Sequence, residues 1–160
     1  MAEWVEEGTA APDFSLQDDH DKTVKLSALR GKPVVLYFYP KDDTPGCTKE
    51  ACAFRDAKDQ FAKFGAQLLG MSPDDVASHG KFREKFHLNF PLLADPGHQV
   101  ALEYGAWREK NMYGVKSMGI QRSTFLIDAK GVVCKVWKKV SVDGHDEQVL
   151  KALEGLASIG

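Results

Sequence analysis

The unbroken apolar run Val34-Val35-Leu36-Tyr37-Phe38-Tyr39 constrains this chain more than any other stretch. Its residues are β-branched, aliphatic or aromatic with no polar residue between them. A strand of that kind must be covered on both faces, as the central strand of a layered α/β sheet is. The run ends at Pro40 and passes into the turn-rich Lys41-Asp42-Asp43-Thr44-Pro45-Gly46, after which Cys47 opens a helical pattern. In open α/β sheets ligands bind beyond the carboxyl ends of the strands, which is where this turn lies. A cysteine in the first turn of a helix sits among unpaired backbone N–H groups at the positive end of the macrodipole, so the thiolate is favoured over the thiol. Cys47 is therefore a candidate nucleophile, with a second thiol, Cys52, five residues on.

Composition narrows the function classes. A chain of 160 residues, 43% hydrophobic and 28% charged, has the make-up and size of one soluble globular domain, read as spanning residues 1–160. The net charge of −2 comes from 21 basic and 23 acidic residues with no block of like charge, which argues against nucleic acid or anionic lipid as partners. The acidic N-terminal residues carry no secretory pattern, and no apolar run approaches the ~20 residues of a membrane span. A cytoplasmic location is expected. Thiols are kept reduced there, so three cysteines do not suggest a disulfide framework. Cys-x4-Cys without a second pair is poor zinc spacing, and the histidines are scattered, so neither metal nor cofactor is expected.

Along the chain, Pro12–Leu16 and Thr23–Leu26 alternate around a turn and suggest an N-terminal β-hairpin. After the central strand, Cys47, Ala51, Phe54, Ala57, Phe61 and Phe64 recur at spacings of three and four and form one apolar stripe of a helix that ends at Gly65. Ala66–Met71 reads as a strand. Ser72-Pro73-Asp74-Asp75 supplies a cap, a first-turn proline and two acids, predicting a helix to about His87. A short strand (Pro91–Ala94) and a short helix (His98–Tyr104) follow. Ala106–Gly119 lacks periodicity and reads as a surface loop near the site. Gln121–Asp128 and Val132–Lys138 flank a turn as a second hairpin, with Cys134 expected to share a strand face with Val132 and Val136 as a packed small hydrophobe. A helix from about Asp143 to Ala157 closes the chain. Parallel crossovers followed by an antiparallel hairpin give a central mixed sheet flanked by helices, an order that matches the thioredoxin fold.

The motifs also resemble a family. Pro40-x3-Thr44-x2-Cys47 is similar to the signature of peroxiredoxins, the thiol-dependent peroxidases. Cys52, the run Gly105–Gly114 and Gly119-Ile120-Gln121-Arg122-Ser123-Thr124-Phe125-Leu126-Ile127-Asp128 resemble the bacterioferritin-comigratory-protein or Q-type branch. The likeness extends from about Gly8 to the final helix. It implies that Cys47 attacks hydrogen peroxide or organic hydroperoxides and becomes a sulfenic acid. It further implies that Arg122 arrives from a distant strand to favour the thiolate and hold the peroxide, with Thr44 bonding peroxide and thiolate and Pro40 shielding the loop. Cys52 resolves the sulfenic acid as an intramolecular disulfide, and thioredoxin or a similar dithiol reduces it: a thioredoxin-dependent, atypical 2-Cys peroxidase, expected to be a monomer. In an intact helix, residues five apart have Cα atoms about 8.6 Å apart and point about 140° away from each other. A disulfide needs the Cα atoms within about 7 Å, so the segment from Thr44 to about Phe54 is expected to unwind in each cycle. The competing readings are a protein thiol-disulfide oxidoreductase of the same fold, weakened by the absence of Cys-x-x-Cys, and a binding or holdase module without turnover.

Overall fold

The computed structural model describes residues 3–159. In chain order the elements are β1 (Ser15–Gln17), β2 (Thr23–Lys25), a single 3₁₀ turn (Leu26–Leu29), β3 (Val34–Phe38), α1 (Pro45–Lys63), β4 (Gln67–Ser72), α2 (Val76–Phe86), β5 (Leu92–Ala94), α3 (Gln99–Tyr104), β6 (Trp107–Met112), β7 (Val115–Ile120), β8 (Ser123–Ile127), β9 (Val133–Trp137) and α4 (His145–Ile159). The main sheet runs β5-β4-β3-β8-β9. β3 lies parallel to β4 and antiparallel to β8. β1 and β2 form the expected N-terminal hairpin. This is the thioredoxin-like arrangement that the element order predicts.

The pleat of β3 divides the core into two layers. Val34, Leu36 and Phe38 meet Val100, Ala101 and Tyr104 of α3, together with Phe14 and Leu26. Val35, Tyr37 and Tyr39 meet Cys47, Ala51, Phe54 and Phe61 of α1, Phe82 of α2, and Val149 and Leu153 of α4. Burying one such side chain stabilises the fold by about 1.5–3 kcal/mol, so the sheet is a stiff platform, and the sulfur of Cys47 belongs to its second layer. On the opposite layer the N-terminal segment crosses Gly105, where φ is 89° and an added Cβ would lie 2.5 Å from the Cα of Trp4. Only glycine fits that crossing.

Three expectations are corrected. First, α2 begins at Val76, capped by Asp75, whose carboxylate accepts from the Ser78 N–H at 2.8 Å. Ser72 is instead the last residue of β4, paired with Ala94, and its hydroxyl donates to Asp74. The strand ladder takes the serine before the helix can use it. Second, Ala106–Gly119 is largely an antiparallel hairpin, β6 with β7. Its two-residue turn, Tyr113-Gly114, has positive φ at both positions (54° and 80°), as a type I′ turn requires. The arm projects from the body with β7 exposed along most of its length, so neither face imposes an apolar period. Third, the ladder slips between Leu126 and Ile127. Cys134 therefore packs in the layer of α4 while Val133 and Val136 face the other layer. A β-bulge inverts the alternation on which shared facing depends.

Candidate active site

The end of β3 and the start of α1 position the candidate nucleophile. Thr44 is the N-cap residue of α1, Pro45 the first helical residue, and Cys47 the third. The first backbone bond of the helix runs from the Thr48 N–H to the Thr44 carbonyl at 2.8 Å. The N–H groups of Gly46 and Cys47 come before that bond and stay available to an anion. Cys47 is 2% exposed and packs in the apolar layer with Val35, Tyr37 and Tyr39.

Arg122 supplies the charge. It lies between β7 and β8, and its Nη2 donates to Cys47 Sγ at 3.3 Å while Nη1 donates to Glu50 Oε1 at 2.6 Å. A Cβ on Gly46 would come within 3.1 Å of Nη2, so glycine before the cysteine leaves room for the guanidinium. Although burial pulls it down, Glu50 and Cys47 beside it hold Arg122 above its ordinary value. Burial pushes the Glu50 carboxyl up to about 7 against the pull of Arg122. Among the described residues its Oε2 has no hydrogen-bond partner, and neither does the buried hydroxyl of Tyr37. Burial, then Glu50 and Cys47, raise that phenol well above its usual range.

The loop ahead of the helix is clamped. Asp42, on that loop, accepts from the Tyr39 hydroxyl at 2.6 Å and from Ser78 Oγ at 2.8 Å, and lies 2.7 Å from His79 Nδ1. The other nitrogen of His79 donates to the Leu93 carbonyl at 2.9 Å, while the Asp42 N–H donates to Asp74 at 2.8 Å. Asp42, Asp74 and His79 bring their ligand atoms within 4.8 Å of one another, but each is occupied by these partners, which makes the cluster a brace.

Of the residues singled out from sequence, Cys47 and Arg122 are in contact. Pro40 and Thr44 flank the same loop, half-buried, and the Thr44 hydroxyl donates to the Lys41 carbonyl at 2.8 Å instead of to the sulfur. Cys52 is a free, half-buried thiol on the same intact helix as Cys47, which is also free. Glu50, Asp42 and His79 were missed. For Glu50 a signal existed, since an acid three residues after Cys47 falls on the apolar stripe of α1, where an acid is buried only with a partner. Asp42 and His79 carry no comparable mark.

The chain matches the AhpC/TSA family over residues 8–136. It is 50% identical over 153 residues to a Bacillus subtilis protein named Peroxiredoxin Bcp, covering 96% of this chain and 98% of that one. It is 44% identical to Peroxiredoxin Q, chloroplastic, of Triticum aestivum, covering 95% of this chain and 68% of the relative. Among solved structures, the Xanthomonas campestris bacterioferritin comigratory protein, described in terms of its alkyl peroxide reduction activity, superposes with a TM-score of 0.86 at 42% identity, covering 90% of this chain and 92% of that one. A cysteine-to-serine mutant of Xylella fastidiosa PrxQ does so with a TM-score of 0.87 at 34% identity, covering 96% and 99%.

Proposed function

Since the chain belongs to the AhpC/TSA family, in its Bcp and Q-type peroxiredoxin branch, and is thus a thiol peroxidase using a thioredoxin-type reductant, we propose that Cys47 is its attacking thiolate and Cys52 its resolving thiol. The observation that carries this reading is the 3.3 Å contact of Arg122 with Cys47 Sγ inside the first turn of a helix. The thiolate attacks one peroxide oxygen, the S–O bond forms as the O–O bond breaks, and the departing oxygen leaves as hydroxide or alkoxide that takes up a proton. Arg122 and the N–H groups of Gly46 and Cys47 are placed to stabilise that developing charge. Thr44 joins them once its hydroxyl turns from the Lys41 carbonyl, and Pro40 stiffens the wall of the loop. The Cys52 thiol then displaces water from the sulfenic acid, giving a disulfide that a dithiol reduces by exchange. Because α1 is helical through both cysteines, the second step requires the turns between Thr44 and about Phe54 to open.

The protein is further read as one thioredoxin-like domain over residues 1–160, a reading supported by two apolar layers that share a single main sheet. It is read as a monomer, since large exposed apolar side chains are few among the described residues, and as cytoplasmic, where reducing dithiols are abundant. No described helix is long and apolar enough to cross a membrane.

The test is peroxide consumption coupled to thioredoxin, its reductase and NADPH, for wild type and for Cys47→Ser, Cys52→Ser and Cys134→Ser. Turnover is expected to vanish with the first, fall at least tenfold with the second and persist with the third. Normal turnover by Cys52→Ser removes the resolving assignment. Reduction of insulin disulfides faster than peroxide favours the thiol-disulfide oxidoreductase instead.

A further inference from the structure

The polar side-chain ties of α1 to the rest of the protein are unevenly spread along its length. Among the described residues, those ahead of Arg55 are the bonds from Arg122 to Cys47 and Glu50 and the pair of Lys49 with Asp143, both mostly exposed, which is a kind of pair that holds little. From Arg55 onward the helix is fastened to the segment between α2 and β5. Arg55 Nη1 donates to the Phe86 carbonyl at 2.7 Å, and Lys58 Nζ donates to the Asn89 carbonyl. Asn89 Nδ2 donates back to the Arg55 carbonyl at 3.2 Å.

These three bonds are well founded on both sides. Phe86 is the last residue of α2, so its carbonyl has no partner within that helix and lies at the negative end of the macrodipole, where a guanidinium is favoured. The receiving segment is itself anchored, since Leu88 and Phe90 are 4% and 1% exposed and pack in the same apolar layer as Phe54 and Phe61. Cys52 precedes Arg55 by three residues and so lies one turn away on the same face of α1. Opening that starts at the N-terminus of α1 therefore meets its first part-buried polar ties outside the active site directly after Cys52.

We propose that Arg55, Lys58 and Asn89 form a clasp that stops the unwinding of α1 one turn beyond Cys52, which makes them positioning residues of the disulfide step. This rests on the reading of Cys47 as the attacking thiol and Cys52 as the resolving one. The bonds that break run from the N–H groups of residues 48–58 to the carbonyls four residues earlier, and from the Asp59 N–H to the Arg55 carbonyl onward the helix persists. Cys52 is thus released while Phe61 stays buried against the sheet. When the disulfide is reduced, α1 regrows from its surviving end and avoids the costly nucleation of a new helix.

The test uses the full chain with Cys134→Ser as parent, and adds either Arg55→Met with Lys58→Met, which keeps the apolar stems and removes the donors, or Arg55→Lys, which keeps a donor. Backbone amide exchange is read residue by residue by NMR in the reduced protein and after equimolar hydrogen peroxide, the Cys47–Cys52 bond being verified by peptide mass. In the parent, oxidation is expected to speed exchange at residues 48–58 by at least about tenfold and to leave residues 59–63 within about twofold. In the double methionine variant the fast region is expected to run on through residue 63 in the oxidised form, whereas Arg55→Lys keeps the boundary of the parent. The proposal is overturned if residues 59–63 already open in the oxidised parent, if the double variant keeps the parent's boundary, or if its exchange changes equally in both redox states. Asn89→Ala, which frees the Arg55 carbonyl, is judged by the same outcomes if the double variant does not fold. If peroxide yields no Cys47–Cys52 bond, the resolving assignment fails, and the clasp is decided on reduced protein in sub-denaturing urea, where the boundary must stand at residue 59 in the parent and move in the variant.

Discussion

Replacing Glu50 with glutamine tests the electrostatics beneath Cys47 without touching the sulfur. Glutamine can keep the bond from Arg122 Nη1 to Oε1, now 2.6 Å, while losing the ionisable oxygen that has no partner. In the folded protein burial moves the carboxyl from an ordinary value of 4.5 to about 7. Below 4.5 the group is protonated in both states and no difference arises. Above it the unfolded chain ionises while the folded chain holds its proton until about 7, so the wild type loses stability as pH rises through this window and levels off beyond it. At roughly 1.4 kcal/mol for each tenfold change in proton affinity, the displacement from 4.5 to about 7 amounts to about 3 kcal/mol. The assay is urea unfolding of reduced protein at half-unit steps from pH 4.5 to 8. The stability of Glu50→Gln minus that of wild type is expected to climb by about 3 kcal/mol across the window. A difference that stays flat would refute the reasoning and would mean that Arg122 outweighs desolvation and keeps Glu50 ionised throughout the window.

Two further perturbations follow from packing and titration. Gly105→Ala adds a methyl 2.5 Å from the Trp4 backbone at a φ of 89°; thermal unfolding is expected to show a loss of at least about 2 kcal/mol, accompanied by a change in Trp4 fluorescence as the N-terminal segment is pushed off. His145 is bonded through Nε2 to Thr124 at 2.7 Å, and burial holds its imidazole below the ordinary value of 6.5. The unfolded chain therefore takes up this proton first, so the contribution is whole above 6.5 and is lost as pH falls below it. His145→Gln is expected to lose less stability than wild type between pH 7 and pH 5, and a parallel loss in both would remove His145 from the account. Its slope is opposite in sign to that of Glu50, so each is read only against its own variant.

The fold was legible in sequence where burial imposed a period. β3 is apolar throughout because both of its faces are covered, and α1 shows its stripe because one side packs on the sheet. The β6–β7 arm was illegible for the complementary reason, since a ribbon exposed along β7 has no inside to alternate against. The bulge at Cys134 was invisible because one extra residue inverts facing without altering composition. At the site, Cys47 was marked by a helix start, whereas Arg122 was found only through the family resemblance, because nothing local announces a contact across 75 positions. Asp42 and His79 meet across 37 positions, and a lone aspartate in a turn reads as ordinary turn chemistry.

The brace around Asp42 decides which part of the peroxidase moves. Tyr39, Asp74, Ser78 and His79 tether the chain just upstream of the Cys47 turn to the end of β3, to α2 and to the segment between β4 and α2. The upstream end is thereby a fixed pivot, and if Cys47 and Cys52 pair as proposed, slack for their bond has to come from the downstream side, by peeling α1 away turn by turn toward Phe54. On that reading, how long the oxidised sulfur waits for its thiol is a matter of helix fraying, adjustable by residues of the first turns of α1 such as Thr48 and Lys49. A clock of this kind sits in the backbone, separate from the chemistry that starts it.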